Sequence, residues 1–142
     1  FGKYVTPTIC DEETIFADSK LLQKVEIMTG DFENTFVKIK KNTFFYFDPP
    51  YRPLNNTSNF NDYAKESFND EAQIRLKMFC DKLNAIGVRF MLSNSDCLGN
   101  NCGDRFFDDL FANYQIDRVF ASRNVNAVAS KRGKLTEIVV VN

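Results

Sequence analysis

The sequence predicts an α/β domain, with a mainly parallel sheet and an antiparallel hairpin at its C-terminal end. Three observations predict this. Residues 43–47 and 88–93 are short apolar runs without alternation, as expected of strands buried on both faces. Between them, residues 70–86 carry apolar and charged positions at helical spacing, giving the strand, loop, helix, strand order of an α/β unit. Residues 115–121 and 135–141 then read as strands whose connection has no helical pattern, which suits a hairpin at one edge.

The elements follow in order. Residues 11–25 have Ile15, Leu21, Leu22 and Val25 at roughly helical spacing, and residues 25–29 read as a short strand ending at Gly30. Residues 48–69 are polar and rich in Asn, Pro and Ser, a loop long enough to suggest a function. In the helix over 70–86, Asp70 with Gln73 resembles a capping box, Ile74, Met78 and Leu83 face one side against Lys77, Asp81 and Lys82, and Gly87 suits the C-terminal cap. The strand over 88–93 is followed by Asn94-Ser95-Asp96, where Asn94 reads as a cap for the next turn. Residues 105–112 suit a short helix.

Composition narrows the function classes. The 142 residues suffice for one domain with a core, and no apolar run approaches the length of a membrane span. The chain begins Phe1-Gly2-Lys3-Tyr4, without methionine or a signal-peptide pattern, and so reads as starting mid-protein or trimmed. A net charge of −1 argues against strong nucleic-acid binding by this piece alone, since phosphate contacts need cations. Basic residues do cluster, at Arg123, Lys131, Arg132 and Lys134 and at Lys38, Lys40 and Lys41, although such clusters are more often solvated faces. Cys10, Cys80, Cys97 and Cys102 form no Cys-x-x-Cys pair, and histidine is absent; free thiols in a reducing cytosol are the simplest reading.

The chemistry lies in Asp48-Pro49-Pro50-Tyr51, straight after the aromatic run Phe44-Phe45-Tyr46-Phe47. Two prolines remove two amide donors and fix φ, so the turn is rigid and its carbonyls stay free to accept. Asp48 adds an acceptor carboxylate and Tyr51 a flat aromatic face. Clustered acceptors beside an aromatic platform suit a planar ring bearing an amine. In open α/β sheets ligands bind beyond the C-terminal ends of strands, and two such ends here carry polar residues, Asp48 and Asn94.

The tetrapeptide resembles the catalytic motif of amino-methyltransferases, and its surroundings resemble the Dam-type, adenine-specific DNA methyltransferases. Pro53-Leu54, Asn59-Phe60, Tyr63 and Ser67-Phe68 resemble that branch's active-site loop, and Leu92-Ser93-Asn94-Ser95-Asp96 the segment after its next strand. The stretch from Ala121-Ser122-Arg123 through Ser130-Lys131-Arg132-Gly133 to Thr136-Glu137-Ile138 resembles its C-terminal segment. Gly30-Asp31-Phe32 resembles the motif that meets the adenine of S-adenosylmethionine. The resemblance covers essentially the whole chain, in order.

It implies an incomplete Rossmann-like S-adenosylmethionine-dependent methyltransferase fold. Residues 1–142 would be the C-terminal part of a catalytic domain, with residues 1–8 ending a target-recognition region. The implied reaction is methyl transfer from S-adenosylmethionine to adenine N6 in double-stranded DNA, with the adenine flipped out of the duplex, in a prokaryotic or phage cytoplasm. Asp48 and the Pro49 carbonyl would bind the target amine on the rigid turn completed by Pro50, and Tyr51 would stack on the base. Asp31 and Phe32 would meet the cofactor's adenine, with Asp48 and Phe60 also facing the cofactor; Asp31 equally suits a helix cap, and Phe60 a simple loop anchor. Lys3, Tyr4, Arg123, Lys131 and Arg132 would face DNA. No metal is implied. The glycine-rich loop and first strands of the family have no counterpart here, so the chain resembles half an enzyme, inactive alone. The edge of the strand over 43–47 would then be repaired by the strand over 25–29 or by dimerisation. An RNA or protein amino-methyltransferase, or a non-catalytic remnant that binds a partner, are the other readings.

Overall fold

The computed structural model describes residues 10–54, 68–122 and 134–142. The chain divides into two units, residues 1–38 and 39–142, each described by itself.

In the first unit, α1 spans Glu12–Leu22. Asp11 caps it: its carboxylate accepts from the Thr14 amide at 3.2 Å and the Thr14 hydroxyl at 2.9 Å, and these bonds hold its pKa below the ordinary carboxylate value. Glu12 and Glu13 in the first turn and Lys20 in the last complement the helix dipole. The strand expected over 25–29 does not form; the segment is irregular and ends at Gly30, whose φ of 134° is open only to glycine. A strand needs a partner for its amides, and the sheet recruits none of these residues. A 3-10 helix follows over Phe32–Lys38, and Lys38 pairs with Glu26 at 2.7 Å.

The second unit is built on β1 (Phe44–Phe47), α2 (Asp70–Ala85), β2 (Arg89–Ser95), α3 (Phe106–Leu110), β3 (Gln115–Ser122) and β4 (Lys134–Val141), with a π-helical turn over Leu98–Cys102. The sheet order is β1-β2-β4-β3. β1 and β2 pair in parallel, Phe44 opposite Arg89 through Phe47 opposite Leu92, joined by the α2 crossover. β4 pairs antiparallel with both β2 and β3. The sheet is therefore mixed, and the mainly parallel expectation is corrected. Among the described strands only β1 and β2 are parallel neighbours, because β4 lies between β2 and β3 and runs against both. The hairpin exists as expected, but β4 enters the middle of the sheet, so Ile138 and Val140 are buried.

Two helix assignments are also corrected. Asn69, not Asp70, caps α2, its side chain accepting from the Ala72 amide at 3.0 Å. The stripe that α2 buries is Gln73, Leu76, Phe79, Cys80 and Leu83, while Ile74 and Met78 stay exposed. The C-terminal end is as expected: Gly87 takes φ of 74°, its amide donates to Asn84, and the Val88 amide donates to Leu83, closing a Schellman motif.

Phe79 of α2 meets Phe45 and Phe47 edge-on, at 5.9 and 6.0 Å between centroids. The rings continue through Phe90 and Tyr114 to Phe111 and Phe107. This packing fixes one face of β1 and the height at which the chain leaves it. The other face is not covered: Phe44 is 57 % and Tyr46 59 % exposed. The expectation of a strand buried on both faces is corrected, because among the described residues helix packing covers only one face of β1. No described helix is long and apolar enough to cross a membrane.

Candidate active site

β1 delivers Asp48 at its C-terminal end, on the parallel side of the sheet. β2 brings Ser93 beside it: the Ser93 hydroxyl donates to Asp48 Oδ1 at 3.1 Å, and lies 3.2 Å from the Tyr46 hydroxyl. Asp48 is exposed, and among the described residues its Oδ2 has no partner.

The two prolines remove two of the turn's amide donors, and the turn is held from outside. The Gln73 amide on α2 donates to the Pro50 carbonyl at 3.0 Å. Asn94 Oδ1 accepts from the Arg52 amide at 3.0 Å, and the Ser95 hydroxyl donates to the Arg52 carbonyl at 2.7 Å. The expectation that the turn's carbonyls stay free is thus corrected for Pro50. The Pro49 carbonyl alone of the two has no partner among the described residues.

Tyr51 is half-buried, and its hydroxyl donates to Glu137 of β4 at 3.2 Å. Burial raises the phenol above its ordinary pKa, and the carboxylates of Glu137 and Asp48 push the same way, so the neutral hydroxyl is the donor. Arg52 anchors the next residue. Its guanidinium holds Asp70 in two bonds, at 2.7 and 3.1 Å, reaches Asp104, and lies 4.5 Å over the Phe106 ring. The bond to Asp70 raises the Arg52 pKa further, and the bond from Arg52 holds Asp104 below its ordinary carboxylate range.

Asp48, Pro49, Pro50 and Tyr51 are consecutive and share this turn. Asp31 belongs to the first unit, where its Oδ1 accepts from the Glu33 amide at 2.9 Å; the cap reading of this residue is real. Phe32 opens the 3-10 helix there and is partly buried. Lys3, Tyr4, Phe60, Arg123, Lys131 and Arg132 lie outside the described residues. Among the described residues no cluster of three or more side chains suits a metal ion.

Sequence reasoning missed Gln73, Ser93, Ser95, Arg52 and Glu137 and misread Asn94, which lies inside β2 and caps nothing beyond it. A signal existed for Gln73: it lies on the same helical stripe as Leu76, Cys80 and Leu83, where an amide has no reason to be unless it has a partner.

A turn so built, after an edge strand and facing a serine on its neighbour, is the setting in which a family comparison becomes informative. The profile of the D12 class N6 adenine-specific DNA methyltransferases matches residues 1–125. The chain belongs to this family. A type II methyltransferase of Methanocaldococcus jannaschii is 41 % identical over the whole chain, and one of Lactococcus lactis subsp. cremoris is 39 % identical. A DNA adenine methylase of Vibrio cholerae is 27 % identical over 99 % of the chain. The chain covers 47 %, 48 % and 48 % of these relatives' lengths, about half of each. As a D12 class chain, it carries Asp-Pro-Pro-Tyr on a turn fixed by buried amides from α2 and β2.

Proposed function

We propose that this chain is the target-base half of an enzyme that methylates adenine N6 in double-stranded DNA. The observation that carries the reading is the pair of acceptors, Asp48 Oδ2 and the Pro49 carbonyl, left without partners among the described residues beside the Tyr51 ring.

The lone pair of adenine N6 is delocalised into the ring. Asp48 and the Pro49 carbonyl hold the amine hydrogens, favour a more tetrahedral nitrogen and stabilise the positive charge that develops there. Ser93 donates to Asp48 Oδ1, which leaves Oδ2 to accept from the amine. Tyr51 stacks on the base, and catalysis comes largely from orientation. A base inside a duplex cannot reach this turn, so the target adenine is flipped out.

S-adenosylmethionine supplies an electrophilic methyl group when bound. The exposed Asp31 carboxylate at a helix start fits an acceptor for the cofactor's adenine amine, with Phe32 next to it in the chain; Asp48 and Phe60 are assigned to the cofactor by the family resemblance alone. Lys3, Tyr4, Arg123, Lys131 and Arg132 are assigned to DNA, residues 1–8 to the end of a target-recognition region, and the whole to an incomplete Rossmann-like methyltransferase domain in a prokaryotic or phage-infected cytoplasm. The test is transfer of labelled methyl from S-adenosylmethionine to unmethylated DNA by the full translated protein. Asp48→Ala is expected to lower kcat by about 100-fold or more; normal activity in that variant overturns the reading.

We further propose that the 142-residue chain by itself dimerises through β1, whose outer edge has no partner strand among the described residues and whose Phe44 and Tyr46 are exposed. Sedimentation should give a dimer that Tyr46→Lys converts to monomer; a monomeric unmodified chain refutes this.

A further inference from the structure

We infer that Gln73 and Asn94 are positioning residues for Tyr51, closing a ring of hydrogen bonds around it. The inference rests on the methyl-transfer reading above. The ring runs from the Pro50 carbonyl to Gln73 Nε2 at 3.0 Å, from Gln73 Oε1 to Asn94 Nδ2 at 3.2 Å, and from Asn94 Oδ1 to the Arg52 amide at 3.0 Å. The Pro50 carbonyl belongs to the peptide before Tyr51, and the Arg52 amide to the peptide after it. Both peptide planes that set the Tyr51 φ and ψ are therefore tied to one bridge. Gln73 is 2 % and Asn94 0 % exposed, so both amide side chains of the bridge are withdrawn from water.

The two amides have one workable orientation. The Pro50 carbonyl only accepts, so Gln73 presents Nε2 to it. The Arg52 and Ser95 amides only donate, so Asn94 presents Oδ1 to both, Ser95 at 2.8 Å. The remaining Nδ2 and Oε1 then meet as donor and acceptor; flipping either amide sets like groups against each other. Pro49 and Pro50 have no N–H with which to replace the bridge. An aromatic platform that must hold a base within reach of a methyl group needs this kind of fixing, since a misplacement of about 1 Å can cost about 100-fold in rate.

The experiment measures methyl transfer by the full translated protein carrying Gln73→Met, Gln73→Glu, Leu76→Ala or Asp48→Ala, with thermal unfolding recorded for each. Gln73→Met keeps the volume and removes both bonds. Gln73→Glu keeps the bond from Asn94 and, as a carboxylate, removes the donor to Pro50. Both are expected to lower kcat by about 10- to 100-fold with KM for DNA changed less than about threefold. Leu76→Ala loosens the same helix face without touching the ring, and is expected to lower the unfolding temperature with kcat kept within about twofold. A folded Gln73→Met with kcat within about twofold of the unmodified enzyme overturns the inference, and so does Leu76→Ala losing kcat as much as Gln73→Met. If Gln73→Met does not fold, Gln73→Glu decides by the same criterion. Retained activity in Asp48→Ala instead removes the methyl-transfer reading on which the inference rests.

Discussion

Replacing Arg52 by methionine tests how the Asp48-Pro49-Pro50-Tyr51 turn is anchored to the helices behind it. Methionine keeps much of the side-chain stem in place and removes only the charged head. The structure allows the loss to be apportioned. The two bonds to Asp70 are partly screened, because that carboxylate is 53 % exposed, and together contribute about 0.5–1 kcal/mol. The Asp104 pair is better sheltered, at 20 % and 36 % side-chain exposure, and contributes about 1 kcal/mol. The guanidinium over Phe106 adds about 0.5–1 kcal/mol. The variant should therefore be less stable by about 2–3 kcal/mol, read as a shift in urea midpoint at constant slope. Because Arg52 lowers the Asp104 pKa, that pair contributes fully above the ordinary aspartate value of 3.8 and is lost as pH falls through the depressed folded value. The gap between the unmodified protein and the variant should accordingly narrow on acidification below 3.8. A gap under about 0.5 kcal/mol near neutral pH, or one that stays constant into acid, refutes the anchoring argument.

Other changes have equally direct readouts. Ser93→Ala removes the donor that holds Asp48 Oδ1, and kcat should fall about tenfold in the labelled-methyl assay while the fold is kept. Tyr51→Phe loses the bond to Glu137, about 1 kcal/mol of stability by urea unfolding, but keeps the ring; its methyl transfer should stay within a fewfold of normal while Tyr51→Ala loses far more. Gly99→Ala places a methyl 1.9 Å from Asp96 Oδ2 and 2.9 Å from Thr136 Oγ1. Asp96 is fully buried, with Oδ1 held by the Gly99 amide and Arg118, so it cannot swing aside, and about 1–3 kcal/mol should be lost on thermal unfolding.

The local sequence was enough for the turn and for the end of α2, but not for the cap at its start. The rigid Asp48-Pro49-Pro50-Tyr51 turn follows from two prolines after an aromatic run, and the end of α2 follows from Gly87. The C-terminal hairpin was visible because its connection has no helical pattern. Tertiary structure decided what depends on neighbours. Strand order put β4 between β2 and β3, which made the sheet mixed and left β1 at an edge with Phe44 and Tyr46 exposed. Residues 25–29 have strand-like composition, but among the described residues no strand pairs with them, and a strand is made by its pairing. Gln73 has the spacing of a capping-box residue, yet its side chain points inward to Pro50 and Asn94, because Asn69 already caps the helix. The sequence by itself determined that a rigid acceptor turn exists. Only the packing of α2 and β2 determined which carbonyl is taken and which is left to accept, since a hydrogen bond between residues 23 positions apart is set by the fold.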